Sequence, residues 1–397
     1  MNQFPISDDI QILIWLPLAL LTIKEVKENW RQIFDRDLTV KDRSSLHKIN
    51  MFFLLPLVVL IHEIGHALAT IYLGGTVKEL HFGIWWGYVI PVGDFSNLDH
   101  LIITLAGNVA QIAIGFICLA AAYFLRSPAT VALLVYCGLY SIGWTAFAYT
   151  LMSFAGMYGD WIMIYSSPHK EIITIVATIH IIVVGLLIYM IYGAKPRLWF
   201  AGKTRPKWLK DNQAALARVD KDPSAINYLG LAWSYFFIGM DKLAEKYLVK
   251  VEEKDPSLME RFYLEGCILQ NRGKRDEAIS CFEKIAREEG TDTISRARAL
   301  MAVAHCLSDD LPADLDNDEA RELSKNILET FDQAASLVPD TADPLFYKAS
   351  LFNKLGLHKE AEKILKDLDG RKWLDPSLRA GTLVELKVAR SSESQDK

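Results

Sequence analysis

The chain reads as an all-α protein: a polytopic transmembrane helical domain with a membrane-associated β-hairpin, followed by an α-solenoid of stacked helix hairpins. Three observations predict this. Between 50 and 194 the only formally charged side chains are Glu63, Lys78, Glu79, Asp94, Asp99, Arg126, Asp160, Lys170 and Glu171, whereas from 195 onward charge is dense. Four apolar stretches in the first part each approach the roughly 20 residues that a helix needs to cross hydrocarbon. In the second part small and apolar residues recur 34 positions apart, as Gly239 with Gly273 and Ala244 with Ala278 show. Whole-chain averages, 51% hydrophobic with net charge -5, hide this division between two solvents.

Residues 1–49 are expected to hold a short or interfacial helix over Ile10 to Ile23, followed by a basic segment. Asp8 and Asp9 stand where a signal peptide carries basic residues, and no small-residue cleavage site follows. The membrane domain, 50–194, takes its spans from Asn50 to Leu73, Leu101 to Leu125, Thr130 to Phe154 and Ile172 to Tyr192. Between the first two, "HFGIWWGYVIP" (81–91) has the flanking glycines and aromatics of a hairpin near the interface. The linker 195–210 carries Lys195, Arg197, Lys203, Arg205, Lys207 and Lys210, a composition suited to an anionic lipid surface.

From 211 to 385 the same phase returns at Gly356, Ala361 and Leu365, and 291–340 forms an irregular unit with the acidic insertion 308–322. A small residue that closes one helix, with an alanine opening the next against it, resembles the tetratricopeptide repeat, whose hairpins bury a shared core by stacking. Such solenoids present a concave surface to a peptide or protein partner. Residues 386–397 read as a disordered tail. Five cysteines with no CxxC pair argue for buried thiols, not a disulfide framework, and no basic-aromatic patch points to nucleic acid.

The chemistry lies in "HEIGH", residues 62–66. His62 and His66 are i and i+4, so on a helix they project from one face a turn apart, as two imidazoles sharing one Zn2+ require. Glu63 lies about 100° around the axis, where it can act as general base without becoming a ligand. Ionisable groups inside a membrane span rarely persist without partners or function. A zinc site needs a third protein ligand, drawn from His81, Asp94, Asp99, His100, Asp160, His169 and His180. Asp160 stands out: it follows Gly156 and Gly159 in an apolar segment with no basic neighbour, so a divalent cation would supply the missing charge. A plain N-cap on the helix from Trp161 is the competing reading.

These residues resemble the site-2 protease family, intramembrane zinc metalloproteases that cut membrane-anchored proteins. The likeness covers about 50–170 and rests on "HEIGH", the Gly-rich aromatic loop after it (74–97), "LAGNVAQ" (105–111) and the aspartate in a broken later helix. It implies one Zn2+ held by His62, His66 and Asp160, with Glu63 activating water, Asn108 or Gln111 holding substrate backbone, and the hairpin pairing with an unwound substrate strand. Asn108 and Gln111 stand where the family usually has Pro and Asn, and Trp161 stands where Gly usually follows the aspartate.

By the positive-inside rule the basic segments 24–49 and 195–210 are cytoplasmic, which keeps the repeat domain there, whereas the family resemblance implies a cytoplasmic hairpin. A double crossing of 130–167 would reconcile a cytoplasmic hairpin with a cytoplasmic repeat domain. The expected function is an intramembrane zinc endopeptidase whose repeats bind a substrate or regulator. The alternative is a catalytically idle membrane scaffold that recruits partners through those repeats.

Overall fold

A computed structural model describes residues 8–34, 38–156, 159–312, 318–371 and 376–393. The uneven distribution of charge gives two cores instead of one, and the chain divides between Asp211 and Asn212 into two compact units. Each is largely helical, and each is described by itself.

The first unit opens with α1 (Asp8–Glu28), α2 (Trp30–Ile33) and α3 (Val40–Ile49). A π-helical turn, Asn50–Leu54, joins α3 to α4 (Leu55–Tyr72), so that Lys41–Tyr72 runs as one 32-residue helix. Next come the strands β1 (Thr76–Phe82) and β2 (Gly87–Val92), then α5 (Asn97–Phe124) and α6 (Pro128–Gly143). A second π-helical turn, Trp144–Ala148, leads into α7 (Tyr149–Phe154), and α8 (Asp160–Tyr165), α9 (Lys170–Tyr192) and α10 (Ala194–Thr204) complete the unit. Four helices, Lys41–Tyr72, Asn97–Phe124, Pro128–Phe154 and Lys170–Tyr192, are long and apolar enough to cross a membrane. Their outward side chains are apolar as well, Leu68, Ile71 and Ile181 among them, as in a multi-pass membrane unit facing lipid.

Local chemistry explains the joints. Ser96 and Asp99 form a capping box that starts α5, and Ser127 caps α6 ahead of Pro128. Close approach of α4 and α5 depends on Gly65, where an added Cβ would lie 2.7 Å from the Ala106 carbonyl oxygen. The expected hairpin is present: β1 and β2 pair antiparallel from Thr76↔Val92 to Phe82↔Gly87, with an irregularity between Val77 and Glu79.

α1 corrects the expectation of a short or interfacial helix. It is 21 residues long, and Leu13, Leu20 and Leu21 are all more than half exposed around it, so it has no single apolar face to lay on an interface. Trp15 donates its indole N–H to the Phe52 carbonyl (2.8 Å), and Glu25 accepts from Ser45 (2.6 Å) and pairs with Lys48 (2.5 Å). α1 therefore lies antiparallel along the start of the span that carries the histidines.

α11 (Pro206–Lys221) carries the chain across the boundary, and the second unit is a tetratricopeptide-like α-solenoid. Its helices are α12 (Ala225–Phe236), α13 (Asp241–Lys254), α14 (Glu260–Asn271), α15 (Arg275–Arg287), α16 (Thr293–Ser308), α17 (Asp318–Leu337), α18 (Asp343–Lys354), α19 (His358–Gly370) and α20 (Pro376–Glu393). The repeat glycines have a backbone reason. Gly239, Gly273 and Gly356 follow α12, α14 and α18 at φ +72°, +74° and +73°, the left-handed conformation that ends a helix and that Cβ disfavours. The repeat alanines Ala244, Ala278 and Ala361 are fully buried where the next helix packs back.

All five cysteines are free thiols, and burial pushes Cys267 and Cys281 up to about 11. In the acidic insertion, 313–317 lie outside the described residues, while Asp318 begins α17. The expected tail from 386 is also corrected. α20 continues to Glu393, and Leu386 and Ala389 are buried with Ala349, Ala361 and Leu365; residues 394–397 lie outside the described ones.

Candidate metal centre

α4 presents His62, Glu63 and His66 in the interior of the first unit, where all three are buried. The break between α7 and α8 brings Asp160 to meet them. Asp160 is the first residue of α8, and no side chain caps that helix: the competing N-cap role is not the one its carboxylate plays. Three ligand atoms converge instead. Asp160 Oδ2 lies 2.9 Å from His62 Nε2 and 3.2 Å from His66 Nε2, and the two Nε2 atoms are 3.0 Å apart. Among the described residues this is the one group of three or more His, Cys, Asp or Glu side chains able to hold a metal.

Protonation alone does not account for this triangle. His66 Nδ1 lies 2.7 Å from the Ile103 carbonyl oxygen, an acceptor, so Nδ1 carries the proton and the Nε2 of a neutral His66 is a bare lone pair. A proton on His62 Nε2 can satisfy one contact, which leaves the His66 lone pair facing a carboxylate oxygen. A cation satisfies all three atoms together. Tetrahedral zinc with bonds of about 2.0–2.1 Å sets its ligands about 3.3 Å apart, close to the observed 2.9–3.2 Å edges. The donor set fits a divalent metal.

A supporting layer fixes each ligand. Gly107 on α5 lies directly against the His66 ring: an added Cβ would be 2.3 Å from Nε2 and 2.5 Å from Cε1. Asn108 donates both amide hydrogens, to Asp160 Oδ2 (3.2 Å) and to the Thr104 carbonyl (3.2 Å). Thr145 Oγ lies 3.3 Å from Asn108 Oδ1 and 3.1 Å from Gln111 Oε1. Gln111 in turn donates to the Ser141 carbonyl (3.3 Å). Of the two residues expected to hold substrate, Asn108 thus orients the metal carboxylate, and Gln111, 2% exposed, ties α5 to α6. The Asp160 N–H donates to the Tyr149 hydroxyl (3.0 Å).

Glu63 stands apart from the triangle. It is 4% exposed, and its carboxylate makes no hydrogen bond to a described residue. The hairpin covers it: a Cβ on Gly87, the first residue of β2, would lie 2.6 Å from Glu63 Cγ. A buried, unpaired carboxylate beside three metal ligands is arranged to handle a proton.

The other ligand candidates do other work. Asp99 belongs to the α5 capping box, and His100 sits edge-on to Phe95. His180 Nε2 is 2.6 Å from the Ala146 carbonyl, with Tyr165 at its Nδ1 (2.7 Å). His81 stacks on Tyr88 within the hairpin, Asp94 lies in the exposed loop before α5, and His169 precedes α9. Gly87, Gly107, Thr145 and Tyr149 were not singled out from sequence. A glycine beside a ligand gives no signal until the packing of two helices is known.

No protein-family model and no curated protein matches the chain. Among solved structures it is similar to the TPR domain of P58(IPK), at 14% sequence identity over 76% of this chain and 94% of that one, with a TM-score of 0.27. A likeness that slight carries no weight for fold or function, and the solenoid is described from its own helices.

Proposed function

We propose that the protein is a zinc-dependent endopeptidase that hydrolyses peptide bonds of membrane-anchored proteins. The observation that carries this reading is the convergence of three metal-ligand atoms beside a buried, unpaired glutamate within a membrane-length helix. Two imidazoles and one carboxylate leave a position open, as catalytic zinc sites do and structural ones do not. When bound, zinc supplies Lewis acidity toward water and a peptide carbonyl.

The chain's own residues supply the rest. Glu63 accepts the proton of the attacking water and returns it to the leaving amine, so water and one peptide become a carboxylate and an amine with no net proton change. Asn108 and the Tyr149 hydroxyl keep Asp160 oriented. The hairpin, two strands with unpaired edges, offers backbone donors and acceptors to an extended substrate strand. The solenoid is assigned to a protein or peptide partner, on the strength of a cavity of about 190 Å³ lined by Trp233, Glu260, Tyr263, Ser295 and Arg298 among others.

Elemental analysis of detergent-purified protein should find about one zinc per chain, lost in His66→Ala and Asp160→Ala. Glu63→Gln should keep its zinc and its fold, while uncut substrates accumulate in membranes compared by quantitative proteomics. Zinc retained with no change in any membrane protein would make the chain a metal-bearing scaffold instead.

A further inference from the structure

We infer that the metal centre opens on the face of the membrane opposite the basic one, so that its substrates present their scissile bond on the non-cytoplasmic side. The substrate half of this statement rests on the proposed peptidase reading; the orientation half does not.

Three contacts define one end of the membrane unit. Lys203 on α10 donates to the carbonyls of Tyr123 and Leu125 where α5 ends (2.7 and 3.0 Å). The Leu38 N–H donates to the Thr204 carbonyl (3.1 Å). Ile33, Leu38 and Leu46 share a cluster with Ala129 and Ala132 near the start of α6. The segments before α4, between α5 and α6, and after α9 therefore gather at one end. Every Lys and Arg of the described first unit belongs to those segments except Lys78 and Lys170. By the charge bias that orients membrane proteins, that end is cytoplasmic.

The metal ligands lie toward the other end. His66 is about 9 Å of helix rise from Tyr72 and about 26 Å from Ile49; His62 is about 15 Å and about 20 Å from the same ends. Asn108, which holds Asp160, is about 17 Å from the start of α5 and about 24 Å from its end. The hairpin leaves α4 at the far end and folds back as far as Glu63, where Gly87 touches it. The break before α8 lies on the same side: Trp161 and Ile164 pack on Leu101, in the first turns of α5. The segment 130–167 consequently crosses once and turns back, not twice. A water path and a pairing edge both reach the metal from the face that carries Lys78 and Lys170, which is opposite to the orientation the family resemblance implies.

Cysteine labelling of intact cells tests this. In a background lacking the five native cysteines, Asp94→Cys and Arg126→Cys place single thiols in exposed loops at the two ends. A membrane-impermeant maleimide should label Asp94→Cys in intact cells and Arg126→Cys only after permeabilisation. The reverse pattern, or equal labelling of both, overturns the assignment. Because removing buried cysteines can disturb folding, a second measurement uses the otherwise unaltered chain with a fluorescent protein that matures only in the cytoplasm fused after Lys397. No described helix beyond α11 is apolar enough to cross a membrane, so fluorescence is expected. A dark fusion whose secreted-phosphatase counterpart is active overturns the proposal. If the orientation holds and Glu63→Gln changes nothing, the peptidase reading alone fails; if the orientation is reversed while Glu63→Gln abolishes cleavage, this inference alone fails.

Discussion

Gly107→Ala should cost the protein its metal before it costs the fold. The new methyl carbon would stand 2.3 Å from His66 Nε2, about 1 Å inside ordinary contact. The α5 backbone has little room to retreat, because the Ala106 carbonyl already lies against Gly65. The imidazole must move instead, and a ligand displaced by about 1 Å far exceeds the roughly 0.2 Å latitude of a zinc bond. Changes in groups that merely support a ligand weaken metal binding about 10–100-fold, so 100-fold, about 2.7 kcal/mol, is a lower bound. Overpacking costs about 1–3 kcal/mol, offset by about 1 kcal/mol from replacing glycine inside a helix, so the chain still folds. Competitive zinc titration against a fluorescent chelator in detergent measures the effect. Gly115→Ala is the control: on the same helix its methyl would lie 2.6 Å from Ile142, away from the ligands, and zinc affinity should match the parent. If Gly107→Ala binds zinc as tightly as the parent, the contact geometry assigned to His66 is wrong.

Other expectations follow from the same contacts. Tyr149→Phe removes the acceptor of the Asp160 N–H and should lower stability by about 1–3 kcal/mol while all three ligands remain, so an unchanged thermal melt would show that this N–H has another partner. Gly273→Ala forces Cβ into a left-handed position and should destabilise the solenoid by about 1–2 kcal/mol, read from denaturant midpoints; Gly290→Ala, at no such φ, is the comparison. Burial between Phe331 and Tyr347 holds His305 below its ordinary pKa. The unfolded chain therefore takes up this proton first. The associated stability is fully present above about pH 6.5 and is lost as pH falls toward the folded-state value. His305→Gln should flatten that part of the stability–pH curve, and parallel curves would exclude the assignment.

Fold and site were legible to different depths for physical reasons. The membrane spans could be read because a bilayer excludes charge continuously, so each span leaves an uninterrupted record in the sequence. The solenoid could be read because Gly239, Gly273 and Gly356 meet one backbone requirement at one phase. His62 and His66 could be paired because one helical turn separates them. Asp160 entered through its isolated charge. Gly107, Gly87 and Tyr149 had no such signal, since what they touch lies on other elements. α1 was misjudged because apolar length measures how far a helix reaches and not which of its sides are covered. The tail was misjudged because "LKVAR" buries only Leu386 and Ala389, too sparse a pattern to stand out among charges.

The π-helical turn at Trp144–Ala148 bears on how this site can change over evolutionary time. Such a turn holds one residue more than an α-helix needs, and here the Thr145 and Ala146 carbonyls accept from Trp161 (2.8 Å) and His180 (2.6 Å). Removing a single residue from it would restore α-helical pitch and swing everything beyond by about 100°. Tyr149 would leave Asp160, and the break that delivers the third ligand would point elsewhere, with no ligand residue altered. A one-codon deletion is thus a route from metal-bearing to metal-free descendants, and an alignment inspected only for ligand identity would miss it.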